Sequence, residues 1–306
     1  MGKIVITGAT GLVGQALVPP LMKRGYDIIA VSRNPYNVHA ALSPDVKAVS
    51  WEPFGDETLV SHVDGADAVI NLAGENVGHG RWTPQRKLKI INSRVDATRR
   101  IVEAIGMAEK RPKVLLQASA IGFYGVDRRI IATESSPRGE GFLSEVSYAW
   151  EQEALPIDST ETRLIRMRIG VVLAKNGGAF PRLKLPFMFF LGGHPGSGKQ
   201  WLSWIHISDL VYAMIFLLEN DNAEGVYNMT APHPIRMSEF SSVLGRQMKR
   251  PSLFKVPSTA MRLAMGEMAD EMVLNGARVN SNRLPEAGYR FRYPTIIEAV
   301  DDLLNR

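Results

Sequence analysis

Residues 3–14 read Lys-Ile-Val-Ile-Thr-Gly-Ala-Thr-Gly-Leu-Val-Gly, and the fold turns on how this stretch is parsed. The apolar run ending at Thr7 is short and meets glycines at 8, 11 and 14, so it predicts a strand entering a tight turn. A helix over residues 15–24 and a second apolar strand over 27–31 follow. In a strand–turn–helix–strand unit the three glycines serve different ends. Gly8 permits the turn, Gly11 the close approach of an anion, and Gly14 the packing of helix on strand. The N–H groups opening the helix, with the positive end of its dipole, suit the pyrophosphate of a dinucleotide. Thr7, Gly8, Thr10, Gly11, Leu12, Val13 and Gly14 are the candidate contacts, and a tight turn without a ligand is the plain alternative.

The end of the second strand selects among dinucleotides. An acidic residue there suits ribose hydroxyls, whereas a 2′-phosphate calls for a cation. The sequence reads Ala30-Val31-Ser32-Arg33-Asn34-Pro35, with no carboxylate between Asp27 and Asp45. Arg33 can grip a phosphate through charge-assisted bonds, and Ser32 can donate its hydroxyl. NADP(H) is therefore the expected cofactor, against the alternative of a solvated loop arginine.

Composition narrows the class. The 306 residues are 45% hydrophobic and 22% charged, as in soluble globular proteins. A net charge of +5 without any dense basic run gives no sign of nucleic-acid binding. Zero cysteines exclude disulfides and thiolate metal sites, and the six histidines show no metal-ligand spacing. The longest apolar stretch, 185–191, is too short to span a bilayer. The chain enters its first strand directly, so no signal peptide and a cytoplasmic location are expected.

Apolar strands alternate with amphipathic helices to about residue 170, which predicts an α/β fold with a Rossmann-type doubly wound parallel sheet. Further strands are expected at 46–49, 68–72, 113–119 and 163–169. Thr83-Pro84 opens a long helix, and residues 143–155 form another. Residues 1–170 are read as an NADP-binding domain, with 206–229 returning to it as helix and strand. Residues 171–205 and 230–306 are read as a smaller substrate-facing lobe, with the glycine cluster 192–198 as a loop over the cleft.

Several segments together resemble the extended, or epimerase-type, short-chain dehydrogenase/reductase superfamily. They are Thr7–Gly14, Asn71-Leu72-Ala73-Gly74, Ser119–Gly125, Arg168–Leu173 and Trp204–Leu210. Gly74-Glu75-Asn76, Arg81-Trp82, Asn92-Ser93-Arg94, Trp150-Glu151 and Gly198–His206 look like an atypical branch of NAD-dependent epimerase/dehydratase-like proteins, sometimes mislabelled a cell-division inhibitor. The resemblance implies that Asn71, Leu72, Ala73 and Gly74 lie beside the cofactor and Ser119 near its nicotinamide.

The superfamily's Tyr-x-x-x-Lys pair is missing: no tyrosine is followed four residues later by lysine, and no lysine lies between Lys113 and Lys175. Counting from Tyr124 sets Val146 and Trp150 at the two positions. Ser119, with Ala120 as the alternative register, matches the serine that holds the substrate oxygen, and Tyr124 is a candidate proton donor or a packed aromatic. Arg94 suits an anionic substrate group or a surface ion pair, and Glu75 a base or a cap. Trp204 and His206 are candidates for substrate contact, with core packing and helix capping as the alternatives. The chain thus reads as an NADP(H)-binding, epimerase-like oxidoreductase of a small molecule. Its rivals are a non-catalytic NADP(H) sensor and an epimerase or dehydratase holding NADP⁺ tightly. No metal, nucleic acid or membrane partner is expected, and oligomeric state is left open.

Overall fold

The computed structural model describes residues 2–51, 56–126, 131–157 and 161–305. Its centre is a seven-stranded sheet of β1 (Lys3–Thr7), β2 (Asp27–Ser32), β3 (Lys47–Ser50), β4 (Ala68–Asn71), β5 (Val114–Ala120), β6 (Arg163–Ile169) and β7 (Gly225–Met229). All neighbours are parallel, in the order β7-β6-β5-β4-β1-β2-β3. Ile4 and Ile6 face one side of the sheet and Val5 the other, as strand geometry demands, and both sides are apolar and covered.

Four helices frame the sheet: α1 (Leu12–Lys23), α2 (Pro84–Met107), α3 (Phe142–Ala154) and α4 (Ile207–Glu219). α1 and α4 pack into one face through Leu17, Leu21, Leu210 and Met214, and α2 covers the other through Ile101 and Ile105. The Thr83 hydroxyl accepts from the Arg86 N–H and caps α2, with Pro84 in its first turn. α1 begins at Leu12 rather than Gln15, because Gly11 is its N-cap and the glycine motif supplies the first turn.

A second apolar cluster gathers Phe180, Phe187, Trp204, Phe240, Tyr293 and Val300, all beyond β6. It is tied to the sheet end by a short parallel pairing of Trp204–His206 with Val171–Ala174. Asp209, at the start of α4, accepts from the N–H groups of Arg292 (2.7 Å) and Tyr293 (2.9 Å) and from the Tyr289 hydroxyl (3.1 Å). The segment Gly193–Pro195 is a strand paired with Phe254–Val256, not a loop over a cleft. A Cβ on Gly193 would fall 1.6 Å from the Phe254 carbonyl, so backbone proximity explains that glycine. Among the described residues no helix is long and apolar enough to cross a membrane.

Candidate functional site

Two cavities open at the carboxyl ends of the strands, where a doubly wound sheet places its ligands. The larger, about 540 Å³, lies over β1, β2 and β4. Thr7, Gly8, Thr10, Gly11, Ser32, Arg33, Leu72, Ala73 and Gly74 line it, joined by Glu75. Gly8 has φ +70, and a Cβ there would stand 2.6 Å from the Leu72 carbonyl, so the turn admits only glycine without distortion. A Cβ on Gly14 would lie 2.4 Å from the Ala9 carbonyl, so this glycine sets how closely α1 approaches the turn.

Leu12, Val13, Gly14 and Asn71 do not border the cavity. Leu12 and Val13 offer it only the first-turn N–H end of α1, which has no intrahelical acceptors. Asn71 is fully buried: it accepts from Thr7 Oγ1 at 2.6 Å and donates to Thr98 Oγ1 and Gln117 Oε1, both at 2.9 Å. It also accepts from the Ala73 N–H, so it shapes the turn after β4 from beneath. Ser32 Oγ donates to the Asn34 carbonyl, a local turn that presents Arg33 beside the cavity. Ser93, Asp96, Ala97 and Arg100 add to the wall from α2. They recur every three or four residues along α2, which is the sequence signal that would have found them.

The second cavity, about 300 Å³, lies beyond β5 and β6. Its walls are mostly apolar, with Val77, Ile121, Leu143, Val146, Met237 and Met272 among them. Val146 and Trp150, the two positions counted from Tyr124, both line it, one helical turn apart on α3. Arg94 enters from α2: its guanidinium lies 4.9 Å from the centre of the Trp150 ring, and its Nη1 donates to the Glu75 and Ile90 carbonyls. Burial pulls its pKa down to about 10, which leaves it cationic at neutral pH. Arg94 therefore links the cavities, because Glu75 borders the other one. Glu271 lines this cavity too, but its carboxylate accepts from the Phe142 and Leu143 N–H groups and caps α3.

Ser119 and Tyr124 border neither cavity. Ser119 Oγ donates to Glu151 Oε1 at 2.7 Å, and Glu151 is 1% exposed. Arg168 meets both oxygens of Glu151, at 2.8 and 3.0 Å, and donates to the Tyr124 hydroxyl at 2.8 Å. Tyr124 in turn donates to Asn228 Oδ1 at 2.6 Å. Burial pushes the Tyr124 pKa up to about 12 against the opposing pull of Arg168. The structure thus gathers these two hydroxyls into one closed network behind β5, not at the cavity. Glu75 is held by Arg86 at 2.8 Å, whose hydrogen bond keeps its carboxyl below the usual range. Trp204 is fully buried, its Nε1 donating to the His233 carbonyl. His206 caps α4 through Nδ1, stacks on Tyr293 and faces Asp302 at 3.5 Å.

Comparison with known proteins reads this geometry. Residues 4–149 match the model of the NAD dependent epimerase/dehydratase family, and residues 256–303 a domain of unknown function, DUF1731. An epimerase family protein of Staphylococcus haemolyticus is 40% identical over the full length of both chains. The chain belongs to the epimerase family. Human epimerase family protein SDR39U1, solved with NADPH, superposes with a TM-score of 0.90 at 30% identity, over 99% of each chain. A nucleoside-diphosphate sugar epimerase from Corynebacterium glutamicum is 30% identical with a TM-score of 0.79, over 99% of this chain but 58% of its own.

The residues of this epimerase family member fit a nicotinamide dinucleotide. The positive-φ turn at Gly8, the Gly11 cap and the free N–H end of α1 make a bare-backbone cradle at the larger cavity. No group of acidic or histidine side chains suited to a metal occurs among the described residues.

Proposed function

We propose that this chain binds NADP(H) in the larger cavity and acts as an oxidoreductase or epimerase on a small molecule held in the adjoining one. The observation that carries the reading is the junction at Arg94, where a cradle for phosphates meets a compact apolar chamber. When bound, the nicotinamide supplies hydride chemistry. The protein's residues bind and orient. The Gly8–Gly11 turn and the N-terminus of α1 hold the pyrophosphate, and Leu72 to Gly74 lie along the ribose side.

NADP(H) is favoured over NAD(H) because Arg33 borders the cavity at the end of β2, which carries no carboxylate, and Arg100 adds a second cation to the cavity's lining. Asp96 and Glu75 also border it; Arg86 holds Glu75 at 2.8 Å, while Asp96 stays largely exposed 3.5 Å from Arg99, which is bound mainly to Glu153. Arg94 gives the second cavity a fixed positive charge for an anionic or strongly polar substrate group.

Arg33→Asp is expected to weaken NADPH binding by at least about tenfold, the worth of one charge-assisted phosphate contact. NADH binding should change little. Fluorescence titration with both nucleotides checks this, and equal losses would remove the assignment of Arg33.

A second reading, an NADP(H) sensor without turnover, is favoured by one observation. The side chains at the two expected proton-relay positions, Val146 and Trp150, cannot exchange a proton near neutral pH. Oxidation of NADPH by any member of a carbonyl panel would decide for the enzyme.

A further inference from the structure

The longest apolar run of the chain, residues 185–191, ends the helix Phe180–Met188 and leaves most of its side chains in solvent. Phe189 is 67% exposed and Phe190 53%, with Leu185, Met188 and Leu191 exposed beside them. Single exposed apolar residues are ordinary, but a cluster of them marks a contact surface. The backbone shows that this exposure is built in. The Phe190 N–H donates to the Phe187 carbonyl at 3.1 Å and the Leu191 N–H to the Pro186 carbonyl at 2.9 Å, which closes the helix with Phe190 at its left-handed position. There φ is +62, where glycine is the usual residue and a side chain is strained. The protein thus holds an aromatic ring in water at a position where glycine would serve the fold better.

Leu253, 83% exposed, and Phe254 lie alongside. The Phe254 N–H donates to the Gly192 carbonyl, and the Arg250 guanidinium lies 4.0 Å from the centre of the Phe190 ring. Charge around this face has one sign. Residues 180–199 and 240–266 hold eight Lys or Arg and no Asp or Glu, where the whole chain is nearly balanced at 36 to 31. Arg262 is spent on Asp270, but among the described residues no ion pair engages Lys184, Lys249, Arg250 or Lys255.

We propose that this face docks on an anionic phospholipid surface. Phe189, Phe190, Leu191 and Leu253 enter the headgroup layer, and Lys184, Lys249, Arg250 and Lys255 meet the lipid phosphates. No membrane partner is expected from the sequence because a span needs far more apolar length. Surface docking needs only an exposed apolar face with a cationic rim. A second copy of the chain fits less well, since a two-fold contact through this face would set each cation against its own copy.

The test is flotation of the full-length protein with vesicles of phosphatidylcholine alone and of equimolar phosphatidylcholine and phosphatidylglycerol, beside thermal unfolding of each variant. The parent protein should float with the anionic vesicles only, and less as ionic strength rises. Phe190→Gly should unfold at a higher temperature, because the left-handed strain is relieved, yet bind those vesicles about tenfold more weakly. Leu253→Ser and Lys255→Glu should each lose about fivefold in vesicle affinity with unchanged unfolding midpoints. No flotation, equal flotation with both vesicle types, or unchanged affinity in these variants overturns the proposal. A lower midpoint in Phe190→Gly would give the ring a packing role and overturns it too. So would a dimer in sedimentation that Leu253→Ser dissolves, or a single-stranded oligonucleotide bound more tightly than the vesicles, since the face would then belong to a second copy or to nucleic acid.

Discussion

The hydroxyl of Tyr124 donates to Asn228 and accepts from Arg168, and Arg168 is committed to Glu151. A phenol so placed has its hydrogen-bonding capacity used by the fold, and burial lifts its pKa to about 12, far from a useful proton donor at neutral pH. Tyr124→Phe should therefore lower stability by about 1–3 kcal/mol, because Asn228 and Arg168 lose a buried partner. NADPH affinity should not move. Urea denaturation beside nucleotide titration measures both, and a variant as stable as the parent would show that the network is dispensable. Tyr124 shows where reading a sequence position by position stops. Its identity and spacing were visible, but the partners that occupy it come from Asn228 and Arg168, each more than forty residues away.

Among the elements, α1 is the instructive case. Pro19 and Pro20 sit inside it and remove the N–H groups that would reach the Gln15 and Ala16 carbonyls. The helix persists because Leu17, Val18 and Leu21 are buried against the sheet and α4, so packing overrides propensity. Its position depends on Gly14, whose missing Cβ leaves room for the Ala9 backbone. Gly14→Ala should cost about 1–3 kcal/mol as an overpacked contact. It should also weaken NADPH binding, since the Ala9–Thr10–Gly11 turn must give way. Gly106→Ala is the control: Gly106 lies exposed near the end of α2 with nothing near its would-be Cβ. That change should raise stability by up to about 1 kcal/mol. Thermal unfolding of both variants tests the contrast, and equal effects would show that the approach of α1 is not set at Gly14.

For the whole molecule, pH dependence arises from groups far apart in the fold. Burial, aided by Lys47 and Lys3, lowers the pKa of His62 below its ordinary 6.5, and the Arg86 hydrogen bond lowers that of Glu75 below 4.5. For both groups the folded value lies below the unfolded one, so their contribution is present above the unfolded value and lost as pH falls. Tyr124 has the opposite sign: its folded value of about 12 exceeds the ordinary 10, so stability is lost as pH rises through that interval. Calorimetric midpoints should form a plateau between about pH 7 and 9.5 and fall on both sides. A midpoint that climbs on acidification toward pH 5 would contradict this balance.

The parallel sheet, the glycine turn and the return of residues 206–229 as α4 and β7 were all legible in the order of residues alone. Those features rest on local physics: strand and helix periodicities, glycine where a Cβ cannot fit, Thr83-Pro84 where a helix can begin. The wall of the larger cavity was legible for the same reason, since Thr7, Gly8, Ser32 and Arg33 follow directly from where two strands end. Which polar groups are spent on the fold emerged only from its three-dimensional packing. Ser119 is consumed by Glu151, Asn71 by Thr7, Thr98 and Gln117, and His206 by the cap of α4. The same packing places Gln200 and Glu271 in one chamber with Arg94 and Trp150. Burial and hydrogen-bond satisfaction depend on contacts between distant segments, and no spacing along one chain encodes them locally.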